Sequence, residues 1–323
     1  MRKLFAMIMA CVALLCLGIC AQNKEPEKLG YEEYIYPLRQ ENEEWRTLVN
    51  HQDMIDICQL PREYLNAQTI DLLATVLHYP LLGDIFAWNS VEMGFDVVSL
   101  TFNGFAELLN REDLLEAIES FDIALIEFTQ DFELPIAERV LTILQVFAQS
   151  SAGVPDSLNA TQITDNTVTT PNGTQVPHYV NMTWADHGIS TTAQFNQLNS
   201  DEDYYDATYT SAYKISGRSP RYNCHSYAWH QMSTNNPYWI NFPDWYINDS
   251  YYTEYSYMSI GDRVVYYFYP TDMYTHTSVV TNQTAGSSYL VISKWGYFGL
   301  YLHPAMHCPY YNTQYTSLHY YHH

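Results

Sequence analysis

Three short stretches in the last third of the chain decide its predicted fold: YNCHSYAW at residues 222–229, GDRVVYY at 261–267 and HTSVV at 276–280. In the first stretch, Cys224 precedes a predicted helix. In the third, His276 opens a run of β-branched residues that is typical of a strand. A thiol and an imidazole are the two groups that a thiol-dependent hydrolase requires, one as the nucleophile and one to move the proton.

The position of Cys224 favours a reactive thiol. Ser219 and Pro220 precede it, and residues 226–231 form the predicted helix. A thiol at the start of a helix lies near the positive end of the helix dipole and near unpaired backbone N–H groups. Both lower its pKa, and the N–H groups can also bind an oxyanion. The alternative is a structural cysteine, because free cysteines are often buried.

The start of a strand is a suitable place for a catalytic ring. A strand end holds a side chain in a defined direction, so the ring of His276 can be aimed at a partner. The alternative is an exposed strand histidine with no catalytic role. The order of the two residues, with the Gly261-Asp262 strand between them, favours the catalytic interpretation.

The first half of the chain is predicted to be helical. Residues 69–77 place apolar side chains at spacings of three and four, which indicates a helix, and Pro80 and Gly83 then interrupt the pattern. A second helix is predicted over 91–109, with a break at Asn103-Gly104.

Two further helices are predicted before residue 150. Asn110 is the predicted cap of the third, because the acidic residues that follow it favour the positive end of a helix. Pro135 begins the fourth, which runs to about Gln149. Together these helices predict an all-α domain over residues 22–150.

The composition changes after residue 150. Residues 151–177 are rich in Thr, Asn, Ser and Pro, and Asn172-Gly173 predicts a hairpin turn, because such turns need positive φ angles. β-branched and aromatic runs then predict four strands, at 263–269, 277–281, 288–293 and 300–303. One helix followed by adjacent antiparallel strands is typical of an α+β fold. We therefore expect a linker with a β-hairpin over 151–194 and an α+β domain over 195–323.

In order and spacing, the three stretches resemble the papain-like cysteine hydrolases of the NlpC and CHAP type. In that family an acidic or amide residue precedes a cysteine at a helix start, a Gly-Asp-led strand follows, and a His-led strand comes next. Asn223-Cys224, residues 260–266 and residues 276–280 match these parts, and the resemblance covers residues 195–303. It implies a papain-like domain, in which the helix with the cysteine packs on an antiparallel sheet. Residues 72–111 also resemble N-terminal regions of uncharacterised secreted bacterial proteins.

The chain departs from the family pattern at the third catalytic position. The family places His, Asn or Glu on the strand after the histidine, whereas this strand reads VISKWG at residues 291–296. Ser293 and His303 are the candidates to orient the imidazole. The other candidate residues adjoin the nucleophile or offer an aromatic surface to a substrate: Tyr222, Asn223, His225 and Trp295, the last of which is expected to be exposed.

The resemblance implies an enzyme that cleaves amide bonds, a cysteine peptidase or amidase. Cys224 is then the nucleophile, His276 is the general base and later the acid, and the helix-start amides form the oxyanion hole. The substrates that the family implies are cell-wall peptides, as in peptidoglycan, or N-acylmuramoyl amides, and no cofactor is expected. Two alternatives stay open: a papain-like binding or adhesion module without catalysis, and a thiol acyltransferase.

A zinc site is a further alternative, which the spacing disfavours. His303, His307 and Cys308 lie close in sequence and are zinc ligands by type. The chain has no C-x-x-C pair, however, and Pro304 prevents the helical spacing that would place the two histidines on one face. We therefore expect no metal.

The start of the chain has the pattern of a signal peptide over residues 1–21. Two basic residues precede an apolar run that is shorter than a membrane-spanning helix, and cleavage is predicted after Ala21. Residues 17–20 partly match a lipobox, which leaves lipidation as an alternative. No later apolar run is long enough to cross a membrane, so we expect a secreted or cell-envelope-associated protein without a membrane span.

The acidic composition argues against negatively charged partners. With 14 basic and 36 acidic residues, the formal net charge is −22, which repels nucleic acid and anionic lipid. The predicted mature chain keeps Cys58, Cys224 and Cys308. Either Cys58 pairs with Cys308 and leaves Cys224 free, or all three thiols are reduced.

Overall fold

The computed structural model describes residues 34–88, 91–149, 160–286 and 288–323. The predicted signal peptide and residues 151–159 of the predicted linker lie outside these ranges. In the part of the chain that is described, no helix is both long and apolar enough to cross a membrane.

The apolar periodicity of the first half of the chain correctly predicts helices. The α-helices of the described ranges are α1 (His51–Ile57), α2 (Arg62–Leu65), α3 (Thr69–Leu77), α4 (Val91–Thr101), α5 (Asn103–Leu109), α6 (Leu114–Ser120), α7 (Glu133–Gln149), α8 (Thr192–Thr208) and α9 (Asp244–Ile247). The predicted bounds of α3 are confirmed. The predicted break in the next helix falls at Phe102, one residue before its expected place.

The predicted helix cap at Asn110 is wrong. Asn110 follows the last residue of α5, and its side-chain nitrogen donates back to the carbonyl of Ala106 (2.9 Å). The residue before α6 is Asp113. An asparagine side chain can bond to either end of a helix, and here the nearby carbonyl of the preceding helix supplies the partner.

The second half of the described chain forms antiparallel sheets. The strands are β1 (Tyr179–Val180), β2 (Tyr213–Ser216), β3 (Tyr238–Trp239), β4 (Thr253–Tyr255), β5 (Arg263–Phe268), β6 (Met273–Ala285), β7 (Ser288–Lys294), β8 (Leu300–Pro304) and β9 (Thr316–His322). Within the described residues, seven of them form one sheet in the order β2-β8-β7-β6-β5-β9-β4, and β1 pairs with β3. The four predicted strands are confirmed as β5 to β8, and the α+β class is confirmed.

The predicted hairpin turn is also present. The backbone N–H of Thr170 donates to the carbonyl of Thr174 (2.8 Å), and the N–H of Gly173 donates to the carbonyl of Thr170 (2.9 Å). Gly173 has φ +89°, a conformation that glycine adopts without steric cost. Of the Asn-Gly pair, only the glycine takes the positive φ angle.

The two faces of the large sheet have different partners. Side chains alternate along a strand, so His276 shares one face with Tyr266, its register partner, while Thr277 shares the other with Val265. Tyr266 belongs to the same hydrophobic cluster as the helices of the first half. Val265 belongs instead to a second cluster, with residues that follow Cys224. The helices therefore cover the His276 face, and the segment after Cys224 covers the Thr277 face.

A buried carboxylate joins the helices to the C-terminal segment. Asp84 accepts hydrogen bonds from the hydroxyls of Tyr204 and Tyr209 (2.9 Å each), and it bonds to His51 Nε2 (2.8 Å). His51 Nδ1 lies 2.6 Å from the carbonyl oxygen of Tyr311. Both ring nitrogens of His51 therefore meet oxygen atoms of other chain segments. This network fixes the helices against the end of the chain.

Candidate functional site

Asn223 shapes the chain just before the predicted nucleophile helix. Its side-chain nitrogen donates to the carbonyl of Ile240 (2.7 Å), and its side-chain oxygen accepts from the backbone N–H of Ser226 (3.1 Å). The residues that follow, Ser226–His230, form a single π-helical turn. Such turns are rare and often occur at functional sites. Asn223 itself is fully buried, and its contacts fix the start of this turn.

The π-helical turn packs on the Thr277 face of the sheet. Trp229 Nε1 donates to the hydroxyl of Thr277 (3.2 Å), and His225 Nδ1 bonds to the same hydroxyl (2.8 Å). His225 Nε2 is buried without a hydrogen-bond partner. Burial lowers the pKa of His225 to about 3, so this ring is neutral at neutral pH.

Cys224 is buried, with 2% of its surface exposed. Burial is the main influence on the thiol and raises its pKa to about 12. The backbone N–H groups of Thr277, His225 and Cys224 oppose this rise, and so does the positive charge of Lys294. The sulfur atom therefore lies among backbone donors of the kind that stabilise a thiolate or an oxyanion.

His276 is fully buried against aromatic rings. Its ring stacks on that of Tyr310, with centroids 3.8 Å apart and an interplanar angle of 7°, and meets the ring of Tyr266 edge-on at 5.0 Å. Both ring nitrogens are buried without a hydrogen-bond partner. Burial first, and then the neighbouring His303 and His225, lowers the pKa of His276 well below its usual value. The ring is therefore neutral.

The fold brings Cys224 to strand β6 but does not join it to the imidazole. His225, the residue after Cys224, bonds through Nδ1 to the hydroxyl of Thr277, whereas the side chain of the preceding residue, His276, lies on the opposite face of the sheet. No hydrogen bond links the thiol to either ring nitrogen. In this conformation the two predicted catalytic residues are near each other in the fold, but they are not paired.

Ser293 and His303, the two candidates for orienting His276, bond to each other instead. Ser293 Oγ lies 2.7 Å from His303 Nε2, and His303 Nδ1 lies 2.8 Å from the carbonyl oxygen of Pro304. A carbonyl only accepts, so Nδ1 carries the proton and Nε2 accepts from the serine hydroxyl. Burial lowers the pKa of His303 to about 4. Neither side chain hydrogen-bonds to His276.

The expectation that Trp295 is exposed is wrong, because its indole is fully buried. The indole stacks on Tyr301, with centroids 4.2 Å apart, and its Nε1 donates to Ser293 Oγ (3.2 Å). The edges of Tyr205 and Tyr209 from the α8 region close around it at 5.8 and 5.1 Å. Packing against these rings places the indole in the core beneath the helices.

Lys294 is a residue of the site that the sequence analysis did not select. It ends β7, is fully buried, and donates from Nζ to the carbonyls of Ser219 (3.3 Å), Gly296 (3.0 Å) and Phe298. Its ammonium group lies 5.1 Å from the ring centroid of Tyr222, a predicted site residue that is also buried. The signal in the sequence is a lysine inside an otherwise apolar strand, since lysine is rarely fully buried.

The described residues offer no metal site and no disulfide. No group of three or more His, Cys, Asp or Glu side chains in the described ranges could hold a metal ion. Cys58, Cys224 and Cys308 are all free and buried. Of the two predicted states of the cysteines, the structure has the reduced one.

Comparison with known proteins adds no relative. No protein-family model matches the chain, and neither the curated proteins nor the solved structures include a significant match. A functional assignment therefore rests on the chemistry of the site.

Proposed function

We propose that this protein is a cysteine hydrolase that cleaves amide bonds, with Cys224 as its nucleophile. The observation that carries the proposal is the position of Cys224 directly before the buried π-helical turn Ser226–His230, where the backbone N–H groups of Thr277 and His225 favour a charged sulfur. Donors that converge on one sulfur atom stabilise negative charge there. They support a thiolate first, and then the oxyanion of a substrate that the sulfur attacks.

His276 is the proposed proton carrier. An unpaired polar atom in a protein interior costs about 1–3 kcal/mol, so two unpaired nitrogens on one ring require an explanation. The ring belongs to the residue next to Thr277, whose hydroxyl bonds to His225, the residue after Cys224. A catalytic role would account for its free nitrogens, although the ring lies on the other face of the sheet.

In the proposed reaction, the thiol proton passes to His276 and the sulfur attacks the carbonyl carbon of the amide. The backbone N–H groups bind the resulting oxyanion. The C–N bond then breaks, the leaving amine takes the proton from His276, and a thioester remains on Cys224. Water gives a proton to His276 and attacks the thioester, the C–S bond breaks, and the sulfur regains its proton.

The structure corresponds to a closed form of the proposed enzyme. Cys224 and His276 are both buried, and no hydrogen bond joins them. Because the ring lies on the other face of the sheet, catalysis requires an opening that admits the substrate and a rearrangement of β6 around residues 276–277 that brings the ring to the sulfur. Apo enzymes often have loose catalytic hydrogen bonds that form only when substrate binds.

The substrate class in this proposal follows from the family resemblance of residues 195–303. It is a cell-wall peptide or an N-acylmuramoyl amide. The same proposal includes a papain-like arrangement, in which the cysteine segment packs on the sheet. It also includes export by the N-terminal signal.

The first test is the alkylation rate of Cys224 across pH, in a Cys58→Ala, Cys308→Ala background that leaves one thiol. We expect reaction to persist below the pKa of about 8.5 of a free thiol, and to slow in the added His276→Ala variant. The matched control is Cys224→Ala in the parent chain, which keeps Cys58 and Cys308 and should not show this alkylation. Hydrolysis of purified peptidoglycan that continues unchanged in Cys224→Ala would exclude the proposed nucleophile.

A binding or adhesion module is the second candidate, and one observation favours it. Burial opposes ionisation of Cys224, and the imidazole is not bonded to the thiol. This candidate predicts peptidoglycan binding without turnover, and binding that is unchanged in a Cys224→Ala, His276→Ala double variant. A co-sedimentation assay with the same double variant separates the two functions.

A further inference from the structure

A fully buried lysine next to a buried thiol is unusual, because an ammonium group loses most of its hydration in a protein interior. Lys294 Nζ donates to the backbone carbonyls of Ser219, Gly296 and Phe298. An ammonium group has three N–H donors, so these three acceptors match its protonated form. A neutral amine would turn its lone pair toward one of the carbonyl oxygens.

Lys294 has no carboxylate within ion-pair distance among the described residues. The charged group that influences it from α8 is Glu202, which pairs instead with Lys214 (3.7 Å) and Arg218 (3.8 Å). His187, on the other side, is itself influenced by the lysine charge and does not supply an anion. The remaining group that can carry a negative charge beside Lys294 is the Cys224 thiol.

The strand register also places Lys294 beside the thiol. Val279 of β6 pairs with Ile292 of β7, and extending this register by two residues sets Thr277 opposite Lys294. Both side chains then lie on the face that the Cys224 segment covers. The hydroxyl of Thr277 bonds to His225, the residue after Cys224, and Lys294 Nζ lies 5.1 Å from the ring centroid of Tyr222, two residues before Cys224.

We propose that Lys294 is held as an ammonium ion and is the counter-charge of the Cys224 thiolate. Three carbonyl acceptors surround the lysine nitrogen, and they stabilise a positive charge there next to the segment that carries the thiol. Lys294 is therefore a positioning residue that acts through Cys224. The role deepens the proposed function and rests on the same thiol, but it can be tested without a substrate.

The mutual influence of the two groups agrees with this geometry. Burial is the largest influence on both groups: it lowers the pKa of Lys294 well below its usual value and raises the pKa of Cys224 to about 12. Each group's charge acts on the other in the opposite direction, which is the interaction that the proposal invokes. Because the two groups interact, they titrate as a pair.

The test is a pH titration of thiolate absorbance in the ultraviolet, in the Cys58→Ala, Cys308→Ala background. The Cys224→Ser variant of that background gives the baseline. We expect Lys294→Met to raise the midpoint of the thiol titration by one pKa unit or more. At pH values below the midpoint, this lowers the thiolate fraction about tenfold. Lys294→Arg keeps the charge and should shift the midpoint less. Lys214→Met, on the partly exposed β2, is the matched control and should not shift it.

A merely structural lysine would leave the midpoint unchanged in Lys294→Met, and that result would overturn the proposal. If Lys294→Met does not fold, nitrogen NMR of Lys294 in the parent and in Cys224→Ala serves instead. The lysine pKa should fall when the thiol is removed, and an unchanged value would overturn the proposal. A shifted midpoint without hydrolysis would support the role of Lys294 and count against the hydrolase. Hydrolysis with an unchanged midpoint would support the hydrolase and count against the role of Lys294.

Discussion

Replacing Asp84 with asparagine should destabilise the whole fold, because Asp84 is the buried acceptor at which three chain segments meet. The variant keeps the shape of the side chain and removes its charge. One of its two oxygens becomes an NH₂ group. In place of Oδ1 it faces the hydroxyls of Tyr204 and Tyr209, and in place of Oδ2 it faces Tyr209 and His51. His51 then stays buried beside a neutral group, with its other nitrogen still bonded to Tyr311.

The size of the effect follows from these contacts. Each buried donor that is left without an acceptor costs about 1–3 kcal/mol, and the NH₂ group faces two such donors, so the expected loss is about 2–6 kcal/mol. The unit Glu33–His323 contains Asp84 and all of its partners. At about 2.1 cal/mol/K of unfolding entropy per residue, a chain of this length loses roughly 3–10 °C in Tm for that cost.

Urea denaturation followed by circular dichroism measures the loss, with differential scanning calorimetry for the Tm. The matched control is Glu254→Gln, which removes the carboxylate from a surface pair with His319 (2.6 Å) and should cost less than about 1 kcal/mol. An Asp84→Asn, His51→Gln double variant should recover part of the loss, since the two residues are coupled. A loss below about 1 kcal/mol in Asp84→Asn would refute the idea that this network joins the segments.

Two further predictions concern pH and packing. The pKa of His303 is about 4 in the folded protein, so between about pH 6.5 and pH 4 only the unfolded chain binds a proton at this residue. The free energy of unfolding should therefore fall by about 3 kcal/mol as the pH falls through this window. In urea titrations at successive pH values, His303→Gln should reduce this slope, and an equal slope would contradict the account. Gly94→Ala should destabilise by at least about 1–3 kcal/mol, because the added Cβ would lie 1.9 Å from the carbonyl oxygen of Ile85. Gly217→Ala, where a Cβ meets no atom within 4 Å, is the control, and equal Tm values for the two variants would contradict the packing argument.

The chemistry of the candidate site was only partly readable from the sequence. Cys224 and His276 could be selected because a thiol at a helix start and a ring at a strand start are local patterns. Lys294 was missed because its role depends on carbonyls from two separate segments, around residues 219 and 296–298. Trp295 was misplaced because the rings that bury it come from the α8 region, far away in the chain.

The sequence by itself determined the local elements: the helix α3, the strands β5 to β8 and the α+β class. These depend on side-chain periodicity over a few residues, which a single segment contains. It did not predict β9, which lies inside the sheet between β5 and β4, because that strand is defined by pairing with distant segments. The tertiary structure alone decided that the ring of His276 and the Cys224 segment lie on opposite faces of one sheet. A shift of one residue along a strand reverses the face of every side chain, and only packing on both faces selects the register.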